Sequence, residues 1–98
     1  MNKNRSIAAV VPALNEAATI KLVVEEALRY VDLVVVVDDG STDQTGDIAE
    51  QAGAQVSRHP SNKGLGGSLK TGLDIARKHG SSIVVSLDGD GAHDAKMI

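Results

Sequence analysis

The stretch Leu33–Val37 (LVVVV), followed at once by Asp38–Ser41 (DDGS), decides the fold class of this sequence. A short run that is apolar at every position predicts a strand with two buried faces, as found between helices in a parallel sheet. The acidic, glycine-containing segment after it predicts a polar turn. The sequence therefore predicts an α/β protein in which Leu33–Val37 is an interior strand.

Strands and helices alternate on both sides of this stretch. Three more short runs predict strands: Ile7–Val11, Ala54–Arg58 and Ile83–Leu87. Apolar residues at helical spacing predict three helices, which are about Glu16–Tyr30, a segment that starts after Ser41, Thr42 or Asp43 and stops at Gly53, and about Gly66–His79. The order β-α-β-α-β-α-β predicts a three-layer α/β/α domain over residues 1–98, with a mainly parallel sheet and helices on both faces.

Composition narrows the class of protein. The chain has 98 residues, which suffices for one small domain, and Tyr30 is its only aromatic residue. The absence of cysteine excludes a disulfide framework and a cysteine-based zinc site. A net charge of −3 argues against nucleic acid as a partner. No apolar run approaches the roughly 20 residues of a membrane span, so we expect a cytoplasmic protein without a membrane segment.

Polar clusters follow three of the predicted strands. These clusters are Pro12–Glu16, Asp38–Ser41 and Asp88–Asp90. In open parallel sheets, ligands bind beyond the carboxyl ends of the strands. Although the clusters are far apart in sequence, the fold is expected to bring them to one edge and to form a single site there.

Asp88 and Asp90 flank a glycine directly after an apolar strand. Mg²⁺ and Mn²⁺ prefer oxygen ligands and are often held by one or two carboxylates together with substrate phosphates. A metal here would neutralise a diphosphate leaving group. His93 could join the site, although a solvated loop histidine is the simpler interpretation. An ordinary Asp-Gly turn is the alternative for the aspartates.

The acids of the first two clusters have both a binding and a structural interpretation. A carboxylate of Asp38 or Asp39 can accept a hydrogen bond from a base N–H or a ribose hydroxyl, while Asp39, Ser41 or Asp43 can instead cap the next helix. Glu16 can contact a ligand, but acids are also favoured in a first helical turn.

The glycine-rich segment Asn62–Gly67 leads into the third helix. It is neither a dinucleotide fingerprint, which would follow the first strand, nor a P-loop, which would continue with Gly-Lys-Ser/Thr. We interpret it as a loop packed close to the sheet, with a phosphate contact by Lys63 or Lys70 as the alternative. His59 is expected in a loop, and His79 in a last helical turn.

Together these segments resemble the family 2 glycosyltransferases of the GT-A fold, and especially the dolichol- or polyprenyl-phosphate sugar transferases. The resemblance covers nearly the whole chain. Its matching stretches, in order, are Val10–Glu16, Val36–Asp43, Asn62–Gly67 and Leu87–Gly91. It implies inverting transfer of a sugar from a UDP- or GDP-sugar to an acceptor such as polyprenyl phosphate, with Mg²⁺ or Mn²⁺ as cofactor.

The resemblance also implies roles for individual residues. Nucleotide binding is assigned to residues of all three strand ends: Pro12, Ala13, Leu14, Glu16, Asp38, Asp39 and Asp88. Metal binding is assigned to Asp90, with Asp88 and His93. Ala92 and Ala95 depart from the family pattern, which usually has glutamine and proline there. No catalytic base is evident, so the chain by itself is expected to supply the donor-binding part and to be inactive alone.

Other classes of protein remain open. A non-catalytic nucleotide-binding or assembly module has the same acidic clusters. A sugar nucleotidyltransferase would have its glycine-rich loop after the first strand, and a receiver domain would have its paired acids there. The fourth strand, Ile83–Leu87, is expected to have an edge without a partner in the chain, which predicts a homo-oligomer through that edge.

Overall fold

In the computed structural model, residues 6–89 and the backbone of residues 96–97 are described. The elements in chain order are β1 (Ile7–Ala13), α1 (Ile20–Ala27), β2 (Leu33–Asp38), α2 (Thr45–Ala52), β3 (Gln55–Arg58), α3 (Gly64–Lys78), β4 (Ile83–Ser86) and β5 (Lys96–Met97). Asp90 and His93, both predicted metal ligands, lie outside the described residues.

The strands form one sheet in the order β3-β2-β1-β4-β5. β1 pairs in parallel with β2 on one side and β4 on the other, so that Val10 lies opposite both Val35 and Ser86. β3 pairs in parallel with β2. Since β5 alone runs antiparallel, the predicted α/β fold with a mainly parallel sheet is confirmed.

The two faces of the sheet bury two separate clusters of aliphatic side chains. Successive valines of β2 point to opposite faces, which is why a run that is apolar throughout is buried on both sides. Val34 and Val36 pack with Ile20 and Val24 of α1 on one face. On the other face, Val35 and Val37 pack with Ala76 of α3, and Leu69 and Leu73 border that cluster. α1 and α2 therefore cover one face, and α3 the other.

A glycine allows α3 to lie very close to β1. A Cβ atom added at Gly72 would be only 2.2 Å from Cγ1 of Val10. Because such a contact is impossible, a side chain here would push the helix off the sheet. The close approach holds the amino-terminal end of α3 beside the carboxyl end of β1.

The first strand is longer than predicted and the first helix is shorter. β1 continues through Pro12 to Ala13, because β4 pairs only with Ile7–Val10 and the missing N–H of Pro12 costs no bond there. α1 begins at Ile20 and not at Glu16. Asn15 has a φ of 55° and its Oδ1 accepts the amide N–H of Thr42 at 2.9 Å, so it joins two loops and does not cap α1.

The prediction of an unpaired edge on the fourth strand was wrong. β5 pairs with β4 in antiparallel orientation, with Val85 opposite Met97 and Ser86 opposite Lys96. A segment of the chain itself thus pairs with half of the edge on which the homo-oligomer prediction depended, and the homo-oligomer stays a prediction. Within the described part of the chain, no helix combines the length and the apolar character that a membrane span requires.

Candidate functional site

A cleft of about 230 Å³ opens where the ends of β1 and β2 meet the start of α3. Eight residues line it: Pro12, Ala13, Leu14, Asp39, Asn62, Gly64, Leu65 and Ser68. The first four were predicted to bind nucleotide. Glu16, Asp38 and Asp88, also predicted to do so, do not line this cleft.

Asp39 is the buried acid of the cleft, with only 5% of its surface exposed. Its Oδ1 accepts hydrogen bonds from Nδ1 of His59 at 2.7 Å and from the amide N–H of Lys63 at 2.8 Å. Its Oδ2 accepts the amide N–H of Gly64 at 2.9 Å. Since Gly64 is the first residue of α3, Asp39 ties the carboxyl end of β2 to the start of that helix.

The hydrogen bonds of Asp39 also control its charge. Burial acts to raise the pKa of Asp39. The hydrogen bonds from His59 and the two backbone amides, together with the charge of His59, outweigh burial and lower the pKa below its usual 3.8. The cleft therefore contains a carboxylate that is ionised and held in one orientation.

His59 was expected in a loop, and the structure buries it behind the cleft. Its Nε2 lies 2.9 Å from Oγ1 of Thr71, whose hydroxyl is also 3.1 Å from the carbonyl oxygen of Gly67. His59 follows β3 directly, so its ring links the ends of β2 and β3 to the second turn of α3. Sequence alone offered no signal for this role, because its partners are 20 and 12 positions away.

Asp38 lies on the opposite face of the sheet from the cleft side of β2. Its Oδ1 accepts the amide N–H of Ser41 at 3.0 Å. A Cβ atom at Gly46 of α2 would lie 2.8 Å from its Oδ2, which places the carboxylate beneath that helix. Asp38 thus shapes the turn after β2, and its contact with a nucleotide stays a prediction.

The loops after β1 and β2 are joined by side-chain hydrogen bonds. Oγ of Ser41 accepts the amide N–H of Asn15 at 2.8 Å, and Oγ1 of Thr45 accepts that of Glu16 at 2.9 Å. Asp43 accepts hydrogen bonds from both the hydroxyl and the amide of Thr45. The hydroxyl bond is the main cause that lowers the pKa of Asp43. These contacts hold the rim beside Leu14 in place.

The end of β4 reaches the same rim. A Cβ atom added at Gly89 would lie 3.2 Å from the carbonyl oxygen of Pro12, and the carbonyl of Gly89 accepts a hydrogen bond from Thr19 at 2.7 Å. The predicted convergence of the three strand ends is therefore confirmed for these loops. The side chain of Glu16 approaches Gly89, and Asp88 beside it is exposed.

The described residues contain no group of three potential metal ligands. Asp88 is an exposed carboxylate at the rim, and a single carboxylate of this kind is a suitable oxygen donor for Mg²⁺ or Mn²⁺ when substrate phosphates complete the coordination. The donor chemistry therefore fits such an ion. The assignment of Asp90 and His93 to the metal stays a prediction.

One wall of the cleft was missed by sequence reasoning. Asn62, Gly64, Leu65 and Ser68 line it, although the glycine-rich segment was interpreted as a packing loop. α3 begins at Gly64, two residues before the predicted start, and Gly64 has a φ of 82° that favours glycine. The signal was present in the glycines that precede a helix, where a ligand can approach the backbone.

A cleft beyond the carboxyl ends of parallel strands is where open α/β proteins bind their ligands, so the fold and the cleft define an α/β ligand-binding domain. Residues 8–98 match the family model described as Glycosyl transferase family 2, and the chain belongs to this family. The resemblance to family 2 glycosyltransferases that the sequence predicted is confirmed.

Two relatives illustrate the similarity in sequence. A protein of unassigned function from Methanocaldococcus jannaschii is 42% identical over 100% of this chain and 40% of its own length. The UDP-N-acetylglucosamine–dolichyl-phosphate N-acetylglucosaminyltransferase of Methanococcus voltae is 33% identical over 86% of this chain and 41% of its own length. The chain thus spans about two fifths of these relatives.

A solved structure shows the similarity in fold. The glucosyl-3-phosphoglycerate synthase of Mycobacterium tuberculosis, in complex with Mn²⁺, UDP-glucose and phosphoglyceric acid, has a TM-score of 0.73 and 35% identity. The match covers 87% of this chain and 33% of the synthase. Another structure of the same synthase contains Mg²⁺ and UDP. The structural neighbours are glycosyltransferases of the GT-A fold, as predicted.

Proposed function

We propose that this chain binds the nucleoside diphosphate sugar that serves as donor in a metal-dependent glycosyltransferase. The observation that carries this proposal is the cleft at the ends of β1 and β2, with Asp39 buried and ionised inside it. The family and the solved synthase with UDP-glucose and Mn²⁺ support the same assignment.

The cleft has a surface suited to a nucleoside. Pro12, Ala13 and Leu14 supply an apolar wall, and Leu14 is 42% exposed, so a planar base can pack against it. Asp39 supplies an acceptor for a base N–H or a ribose hydroxyl. Glu16 and Asp38 shape the cleft through its rim and the turn after β2, and their contact with the nucleotide stays a prediction.

The diphosphate is proposed to lie toward the end of β4. Asp88, Asp90 and His93 would hold Mg²⁺ or Mn²⁺ there, and the bound ion would neutralise the diphosphate as it leaves the sugar. The chain's own contribution is to place an exposed carboxylate next to the rim that Pro12 and Gly89 form.

The sugar is proposed to pass to an acceptor such as polyprenyl phosphate, in a cytoplasmic setting. The dolichyl-phosphate enzyme of Methanococcus voltae supports this acceptor class. An acceptor that reacts through a hydroxyl would also require a general base within hydrogen-bond reach. We assign no such base among the described residues, so this chain alone is proposed to bind the donor without completing transfer.

Calorimetry with UDP and with GDP, each with and without Mn²⁺, tests the proposal. We expect one nucleotide to bind, and to bind more tightly with the metal. Asp39→Ala should weaken this binding, whereas Asp74→Ala, which changes an exposed acid on α3, should not. Failure of both nucleotides to bind would contradict the proposal. A transfer assay with intact nucleotide sugar then separates an enzyme from a binding module.

A further inference from the structure

The two carboxylate oxygens of Asp39 differ in the number of hydrogen bonds that they accept from the protein. A carboxylate oxygen has about two lone-pair sites. Oδ1 already accepts two hydrogen bonds, from His59 and from the amide of Lys63. Oδ2 accepts one, from the amide of Gly64. Within the described part of the chain, Asp39 therefore retains one acceptor site, and that site is on Oδ2.

His59 occupies an acceptor site on Oδ1 although it does not line the cleft. A carboxylate only accepts hydrogen bonds, so Nδ1 of His59 must carry the proton and donate it to Oδ1. The hydroxyl of Thr71 contacts Nε2 at the other end of the ring. The ring is 6% exposed and does not line the cleft, so it is held at both ends and does not touch a ligand itself.

We propose that His59 is a positioning residue for recognition of the base, and that the base is uracil; this inference rests on the proposed function. By occupying Oδ1, His59 leaves Asp39 with one acceptor, which matches the single N3–H of uracil. Guanine presents two adjacent donors, N1–H and N2–H, that need both oxygens of a carboxylate. Cytosine and adenine present a ring-nitrogen acceptor beside their amino group, and a carboxylate repels that acceptor.

Ser68 supports the same base. It lines the cleft, and its buried hydroxyl has no hydrogen-bond partner among residues 6–89. An unpaired buried hydroxyl costs free energy, which a ligand acceptor would recover. Uracil has a carbonyl group on each side of N3–H, and a carbonyl oxygen is the kind of acceptor that the Ser68 hydroxyl lacks.

Calorimetry in the full chain with Mn²⁺ and three nucleotides tests this proposal: UDP, N3-methyl-UDP and GDP. The wild type should bind UDP at least about tenfold more tightly than the other two, because only UDP offers a single N–H to Asp39. His59→Leu should weaken UDP binding about tenfold and leave the binding of N3-methyl-UDP unchanged. His59→Asn, which keeps an N–H donor near the position of Nδ1, should restore most of the UDP affinity.

His79→Leu is the matched control, because His79 is an exposed histidine at the end of α3 and should leave all three affinities unchanged. If His59→Leu does not fold, Thr71→Val removes the contact to Nε2 and should weaken UDP more than N3-methyl-UDP. Equal losses for both nucleotides, unchanged UDP binding in His59→Leu, or GDP binding as tight as UDP binding would overturn the proposal. If the wild type binds neither UDP nor GDP, the proposed function itself fails.

Discussion

The acid after β2 and the acid after β4 belong to one rim, yet their surroundings are opposite. Asp39 is 5% exposed and accepts three hydrogen bonds from the protein, whereas Asp88 is exposed. A buried carboxylate is tolerated only when the protein satisfies it, and this fixes its orientation before a ligand arrives. An exposed carboxylate is hydrated and remains available to a cation. One acid is thus suited to reading the base, and the other to binding a metal.

The largest effect on stability is expected for Asp39→Ala. The change leaves His59 and the amide of Lys63 without their acceptor inside the protein, whereas the amide of Gly64 keeps Oδ1 of Asn62 at 2.8 Å. It should lower the free energy of unfolding by about 3 kcal/mol. Urea denaturation measures this loss. A loss below about 1 kcal/mol would mean that the buried network contributes little and would remove the contrast with Asp88.

A smaller effect is expected for Gly46→Ala, which tests packing around the other acid after β2. The added Cβ atom would lie 2.8 Å from Oδ2 of Asp38 and 2.7 Å from Nε of Arg58. Arg58 can move, but Asp38 is buried, so we expect a loss of about 1 to 3 kcal/mol in urea denaturation.

Gly66→Ala is the matched control for this change, because a Cβ atom at Gly66 meets nothing within 4 Å and lies inside α3. It should stabilise the protein by up to about 1 kcal/mol. Equal stability of the two variants would show that Asp38 is not tightly packed beneath α2.

The features that the sequence could predict are those that leave a local pattern or follow from the order of the strands. Leu33–Val37 predicted its strand and the layers around it, because burial on both faces leaves a local apolar pattern. The cluster that contains Pro12, Ala13 and Leu14 was also located, since strand ends in this fold gather at one edge, whereas the binding roles of these residues came from the family resemblance. The strand and the position of the cluster follow from periodicity and topology.

Side-chain pairing over long distances could not be predicted in this way. His59 and Asp39 are 20 positions apart, and no local pattern tells which acid a histidine will face. Asp38 and Asp39 are adjacent and chemically identical, yet alternation along the strand end sends them to different surroundings. The partner of β4 was missed because β5 is only two residues long and has no recognisable strand pattern.

The third effect concerns the charge of Asp39, not the removal of its side chain. Its pKa is lower in the folded protein than the usual 3.8, so the ionised form contributes stability above that pH, and the contribution is lost as the pH falls below it. The loss of unfolding free energy between pH 7 and pH 3 should therefore be larger in the wild type than in Asp39→Asn. Asp43 also has a lowered pKa, but it is present in both proteins and cancels. Identical losses would contradict the prediction.

The smallest effect on stability is expected for Asp88→Ala, which is to be compared with the large loss expected for Asp39→Ala. Because Asp88 is exposed, its removal should change the free energy of unfolding by less than about 0.5 kcal/mol. The same variant should weaken UDP binding in Mn²⁺ and leave metal-free UDP binding unchanged, since its proposed role needs the cation. Asp74→Ala, also an exposed acid, should alter neither quantity by calorimetry. If Asp88→Ala bound UDP in the presence of Mn²⁺ as tightly as the wild type, the proposed role of Asp88 as a metal ligand would be wrong.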